Sequence, residues 1–260
     1  MKFERLISIK AVAGRKVKLH FRGMDFQIIG HRGSGSGRRP HGLQENSLKS
    51  FERAIRDGAD EVECDLALTK DERIILFHDP HVRLSGKRRQ ISDLTRVELL
   101  RAAPLIPDLQ SMLDLFTPDR LLLELKSHTD WRRLLDSIGA NVNHPERLRF
   151  ISFESDALKD IKRRWPDAYC NFIATSNESR FEPVARRKHV DLCRSEGFEE
   201  ISGHYLVFPK RICDAAFDAG LSVGLGMVDG DYPLSRCLRR GVRRLYTNRV
   251  AWLKSRVALL

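Results

Sequence analysis

Two histidines, a cluster of carboxylates and two cations recur at the ends of short apolar runs in the first half of this chain. They are His31-Arg32-Gly33, Glu45-Asn46, Glu63 with Asp65, His78-Asp79, and Glu124 with Lys126. Imidazoles exchange protons near neutral pH, carboxylates hold hard cations, and Arg32 and Lys126 can neutralise an anion. Together these meet the needs of metal-assisted phosphodiester cleavage. Such a substrate is already anionic, so its charge must be offset, an attacking oxygen deprotonated and a leaving alcohol protonated. His31 and His78 are the candidate proton carriers, and sequence does not say which is acid and which is base. Glu63, Asp65 and Glu124 are the candidate metal ligands. Their all-oxygen set suits calcium or magnesium, because no cysteine or histidine pair of zinc spacing accompanies them. Arg32, Lys126 and Glu45 are the candidate substrate and phosphate contacts. Glu45 also reads as a fourth ligand or as the partner that orients Arg32, and Asn46 reads as a helix cap. Any one of these acids alone would pass for a solvated charge; jointly that reading fails.

The elements that must position these groups are short strands. Ile28-Ile29-Gly30 runs into His31, and residues 60–66, 73–77 and 121–125 repeat the pattern. Residues two apart on a strand face the same way, so Glu63 and Asp65 aim together while Cys64 points away, and Glu124 and Lys126 share a face. Beyond residue 128, strand and helix patterns alternate: helices over 131–138, 156–165, 181–195, 209–219 and 232–240, strands over 148–152, 169–174, 204–208, 221–225 and 242–247. About eight such units, with polar residues at strand exits along the whole length, predict an α/β TIM (β/α)8 barrel rather than a doubly wound sheet. Residues 1–24 fall outside the alternation and read as a β-hairpin extension ahead of a single barrel domain over 25–260.

The order and spacing of these motifs resemble the glycerophosphodiester phosphodiesterase family. The resemblance runs through His31-Arg32-Gly33, Gln44-Glu45-Asn46-Ser47, the stretch from Ala54 to Asp60 leading into Glu63 and Asp65, and Thr69-Lys70-Asp71. It continues through His78-Asp79, Ile106-Pro107-Asp108-Leu109 and Leu123-Glu124-Leu125-Lys126. It implies a barrel that hydrolyses small glycerophosphodiesters to sn-glycerol 3-phosphate and an alcohol. It also implies attack by the substrate's own glycerol hydroxyl, giving a cyclic phosphate that water then opens. Two places depart from the family: its Trp-Thr pair near the seventh strand is replaced by Gly226-Met227-Val228, and its Thr-Asp near the eighth by Thr247-Asn248. Both bear on the alcohol side of the substrate. A lysophospholipase D is the alternative within the same chemistry, and it requires an apolar groove for which Phe153, Phe172 and Met227 are candidates. A catalytically silent barrel that binds anions or lipids is the alternative of another class.

Composition narrows the setting. The chain has 260 residues, 42% of them hydrophobic, enough for one large core. Lysine and arginine number 46 against 35 aspartate and glutamate, a net charge of +11 that favours anionic ligands and peripheral contact with an anionic membrane surface. The basic runs are scattered and carry no interleaved aromatics, so no specific nucleic-acid partner is expected. Arg38 and Arg39 are the pair closest to the proposed site. Gly33 to Gly37 lacks the spacing of a dinucleotide cradle. His41, His81 and His204 are weaker site candidates. Five cysteines without close pairing predict reduced thiols, and Lys2, Glu4, Arg5 and Lys10 interrupt any leader-like apolar stretch, so a cytoplasmic protein is expected.

Overall fold

The computed structural model describes residues 25–35, 42–174 and 187–260. The expected N-terminal hairpin, Arg38, Arg39, His41 and the start of the helix expected over 181–195 lie outside those residues. Strand β1 (Gln27–Gly30) leads through α1 (Leu48–Arg56) to β2 (Glu61–Leu68). An excursion follows: β3 (Ile74–Leu76), a hairpin of β4 (His81–Leu84) and β5 (Lys87–Gln90), then α2 (Arg96–Ala102) and α3 (Leu109–Leu113). Alternation resumes with β6 (Leu121–Leu125), α4 (Trp131–Asn141), β7 (Arg149–Ser152), α5 (Ser155–Arg164), β8 (Tyr169–Ile173) and α6 (Arg187–Ser195). It ends with β9 (Glu200–His204), α7 (Lys210–Asp218), β10 (Ser222–Gly226), α8 (Asp231–Leu238), β11 (Arg244–Thr247) and α9 (Val250–Val257). Strands β1, β2 and β6 to β11 are parallel and close on themselves through the β1–β11 and β1–β2 pairings, forming a TIM barrel.

Residues 73–77 were expected as one more strand of the regular series. Their core is instead β3, antiparallel to the end of β2. The reversal comes from Thr69-Lys70-Asp71: the Thr69 hydroxyl donates to Asp71 at 2.6 Å and accepts from the Arg73 amide at 3.0 Å, turning the chain back on itself. This side strand delivers His78 to the barrel mouth.

Period-two alternation decides which residues meet the helices. Val62, Cys64, Leu66, Leu121, Leu123, Leu125, Phe150 and Phe172 face outward into the main apolar core. Phe172, expected as a groove lining, therefore belongs to the helix-facing layer, because the alternation of β8 turns Asn171 and Ile173 inward instead. The barrel interior holds a smaller apolar cluster of Ile29, Leu122, Ile151 and Tyr246, with Ile173 and Met227 against it. Below that plug lies a buried polar layer. Arg244 bonds both Glu61 oxygens, and its Nε donates to Glu200 at 2.8 Å; Tyr169 and Tyr246 also donate to Glu200. Gly224 makes room for this layer, since a Cβ there would run into the Glu200 carboxylate and the Tyr246 ring.

Candidate active site

Strand register brings the acids together. Asp65 on β2 lies beside Glu124 on β6, and Glu63 precedes Asp65 by two residues on the same face. Glu63, Asp65 and Glu124 are all buried and each offers an oxygen within 4.8 Å of the others. Lys126 Nζ forms ion pairs with Asp65 at 2.6 Å and Glu124 at 2.7 Å, and Arg32 Nε lies 3.2 Å from Asp65. Burial first, then the neighbouring carboxylates, push Glu63 and Glu124 up to about 8 against the pull of Lys126. Against its own burial, Asp65 is held well below the usual carboxylate range by Lys126 and Arg32. The two cations thus lower only Asp65 of the three acids. Glu63 Oε1 is buried and has no hydrogen-bond partner among the described residues.

The turn after β1 supplies the next groups. Gly33 (φ 86°) lets the chain dock on α1, where a Cβ would strike the Ser50 side chain. Arg32 (φ 51°) and Asn46 (φ 52°) both sit in the left-handed region, at a cost of about 1 to 3 kcal/mol each for non-glycine residues. What that conformation secures is visible in the bonds. The Arg32 amide donates to Glu63 at 2.9 Å, its guanidinium donates to Glu45 at 2.9 Å, and Asn46 brackets Asp65 with bonds of 2.7 and 3.1 Å. The guanidinium bond to Glu45 orients Arg32, one of the three roles open to Glu45. Asn46 is not the cap of α1. Ser47 is, accepting from the Ser50 amide, which frees Asn46 to hold Asp65.

Both candidate histidines line one cavity of about 480 Å3 with Arg32, Glu63, Glu124 and Lys126. His31 Nε2 lies 3.9 Å from Glu63, and its Nδ1 is 2.9 Å from Asn248 Oδ1. The Asn248 amide nitrogen donates to Asp229 at 2.7 Å, which assigns its oxygen to His31 and the His31 proton to Nδ1. Burial, and then the Arg32 cation, lower the His31 pKa, so the ring is neutral with a bare Nε2. His78 Nδ1 pairs with Asp79 at 2.7 Å. His204 also lines the cavity, whereas His81 sits on the β4–β5 hairpin beside Arg88. His128, in the loop after Lys126, is a lining residue that the sequence reading missed. It lies just past the end of β6, where periodicity no longer reports direction. Its pKa is lowered by burial, then by Lys126 and His78.

Residues 31–251 match the model of the glycerophosphoryl diester phosphodiesterase family, spanning every group just described. The chain belongs to this family. A glycerophosphodiester phosphodiesterase of Caldanaerobacter subterraneus is 28% identical over 157 residues, 54% of this chain and 63% of that protein. The chain thus matches under two thirds of that relative's length. The crystal structure of the Thermotoga maritima glycerophosphodiester phosphodiesterase superposes with a TM-score of 0.73 at 20% identity, covering 90% of this chain and 99% of that one. An Oleispira antarctica phosphodiesterase solved with its product sn-glycerol 3-phosphate has a TM-score of 0.68 at 20% identity, covering 89% and 96%. At these identities the solved structures show the shared barrel. Family members are phosphodiester hydrolases.

Proposed function

We propose that the protein is a metal-dependent glycerophosphodiesterase releasing sn-glycerol 3-phosphate and an alcohol. The observation that carries this reading is the buried trio Glu63, Asp65 and Glu124, with an unpartnered Glu63 oxygen, two of whose members, Glu63 and Glu124, line one cavity with His31 and His78. The donor set suits calcium or magnesium, and Glu63, Asp65 and Glu124 would hold the ion. Once bound, such an ion supplies positive charge against the phosphoryl oxygens. The fit is electrostatic as well as geometric: burial resists ionisation of Glu63 and Glu124, and a divalent cation removes that resistance.

Arg32, held by Glu45, and Lys126 neutralise the remaining phosphoryl charge. His31, neutral and proton-free at Nε2, takes the proton of the attacking hydroxyl, which the family resemblance implies is the substrate's own glycerol oxygen. His78, paired with Asp79, donates a proton to the departing alcohol as the P–O bond breaks. Water then opens the cyclic phosphate with the two roles reversed. In the Oleispira antarctica protein the bound product is sn-glycerol 3-phosphate, which supports the same glycerol phosphate end here. Two features support a cytoplasmic setting and anionic partners: all five cysteines are free and buried, and the net charge is +11. No helix among the described residues is long and apolar enough to cross a membrane.

Phosphorus NMR of glycerophosphoglycerol turnover tests the order of events. A cyclic phosphate signal that precedes sn-glycerol 3-phosphate supports the mechanism, and loss of both signals in His31→Ala supports the assignment of the base. Direct appearance of inorganic phosphate contradicts it.

A further inference from the structure

The barrel mouth is divided by charge. Among the described residues that line the cavity, every acid and both non-imidazole cations come from β1, β2, β6 and the loops that follow them. The opposite side, built by β7 to β10, presents Ile151, Phe153, Ile173 and Met227 around Ser202 and His204 of β9, and Tyr246 of β11 completes the wall. Among the described residues lining the cavity, Glu63 and Glu124 are the only carboxylates, and both belong to the metal set. We propose that this apolar half receives the leaving alcohol and selects diesters whose alcohol has an uncharged, apolar body over those with an ammonium headgroup.

The inference rests on the phosphodiesterase reading and adds the class of alcohol. A phosphate anchored by Arg32 and Lys126 leaves most of a cavity of about 480 Å3 to the rest of the substrate. Among the described residues, an ammonium group pressed on Ile151, Phe153 and Met227 would lose water and meet no counter-ion, with only the Phe153 and Tyr246 rings to offset the cost, while an alkyl body there gains by leaving water.

Steady-state release of sn-glycerol 3-phosphate should be compared for the hexanol, ethanolamine and choline diesters with calcium or magnesium present. The expected kcat/KM for the hexyl diester exceeds that for the choline diester by about tenfold or more. Phe153→Ala is expected to reduce the hexyl value by about tenfold and leave the choline value within about twofold. Met227→Glu, which supplies a carboxylate, is expected to reverse the preference. Phe153 is half-buried on the rim, so its truncation remains informative if Met227→Glu does not fold. Equal or better cleavage of the choline diester, or no effect of Phe153→Ala, overturns this inference and leaves the phosphodiesterase reading standing. A preference that follows an acyl chain on the glycerol instead of the alcohol also overturns it. Absence of release from all three diesters overturns both.

Discussion

At the scale of the residue, the position of one proton is settled two side chains from the substrate. Asn248 accepts from His31 and donates to Asp229 at once, which an aspartate at that position could not do. The departure from the family's Thr-Asp therefore suits the neighbourhood it sits in. Asn248→Ala should lower kcat/KM by about 10- to 100-fold, with little change in KM, because it releases a ring that the substrate does not itself hold. An unchanged kcat would remove Asn248 from the positioning network. The acids make a second prediction. Folded Glu63 and Glu124 keep protons up to about pH 8 that the unfolded chain releases near 4.5, so the folded state binds more protons and stability falls as pH rises through that range. His31 and His128, lowered from 6.5, act in the opposite sense below that value. Between pH 6.5 and 8 the two acids dominate these site groups. The melting temperature of chelated protein should fall across this window, and saturating calcium or magnesium should flatten the fall. A rise without the ion, or the same slope with it, contradicts the account.

At the scale of the element, the buried layer under the apolar plug ties distant strands together. Arg244 spans β11 to Glu61 on β2 and Glu200 on β9, and removing it would leave Glu200 to the Tyr169 and Tyr246 hydroxyls and Glu61 to Arg149 at 3.4 Å, with one cation fewer for two buried carboxylates. Arg244→Met should cost about 3 to 5 kcal/mol in urea unfolding; a loss below 1 kcal/mol would show that the layer is dispensable. This layer was not legible in the sequence, since partners such as Glu61 and Arg244 lie 183 residues apart and read singly as ordinary charges. The Glu63-Cys64-Asp65 alternation was legible because the period of a strand is local. So was the pairing of Glu124 with Lys126. Asn46 misled because asparagine before a helix suits a cap, and only the fold shows Ser47 in that role and Asn46 on Asp65. Phe172 misled because a strand's phase is needed to tell groove from core. β3 was legible as a strand, but its direction depended on the turn at Thr69.

At the scale of the whole molecule, eight parallel strands and the β3 excursion bring the site groups to one end of the barrel, and a net charge of +11 surrounds them. An anionic diester is drawn to such a surface, and salt screens that attraction over about 10 Å at 0.1 M. Raising ionic strength from about 0.05 to 0.5 M should therefore lower kcat/KM severalfold, chiefly through KM. Insensitivity to salt would confine electrostatics to the cavity. The most direct test of the central claim is release of sn-glycerol 3-phosphate from a glycerophosphodiester with calcium or magnesium, after chelation, and in His78→Ala. The account predicts release that requires the ion and is lost in the variant. Release that survives chelation, or that persists undiminished in His78→Ala, would contradict it.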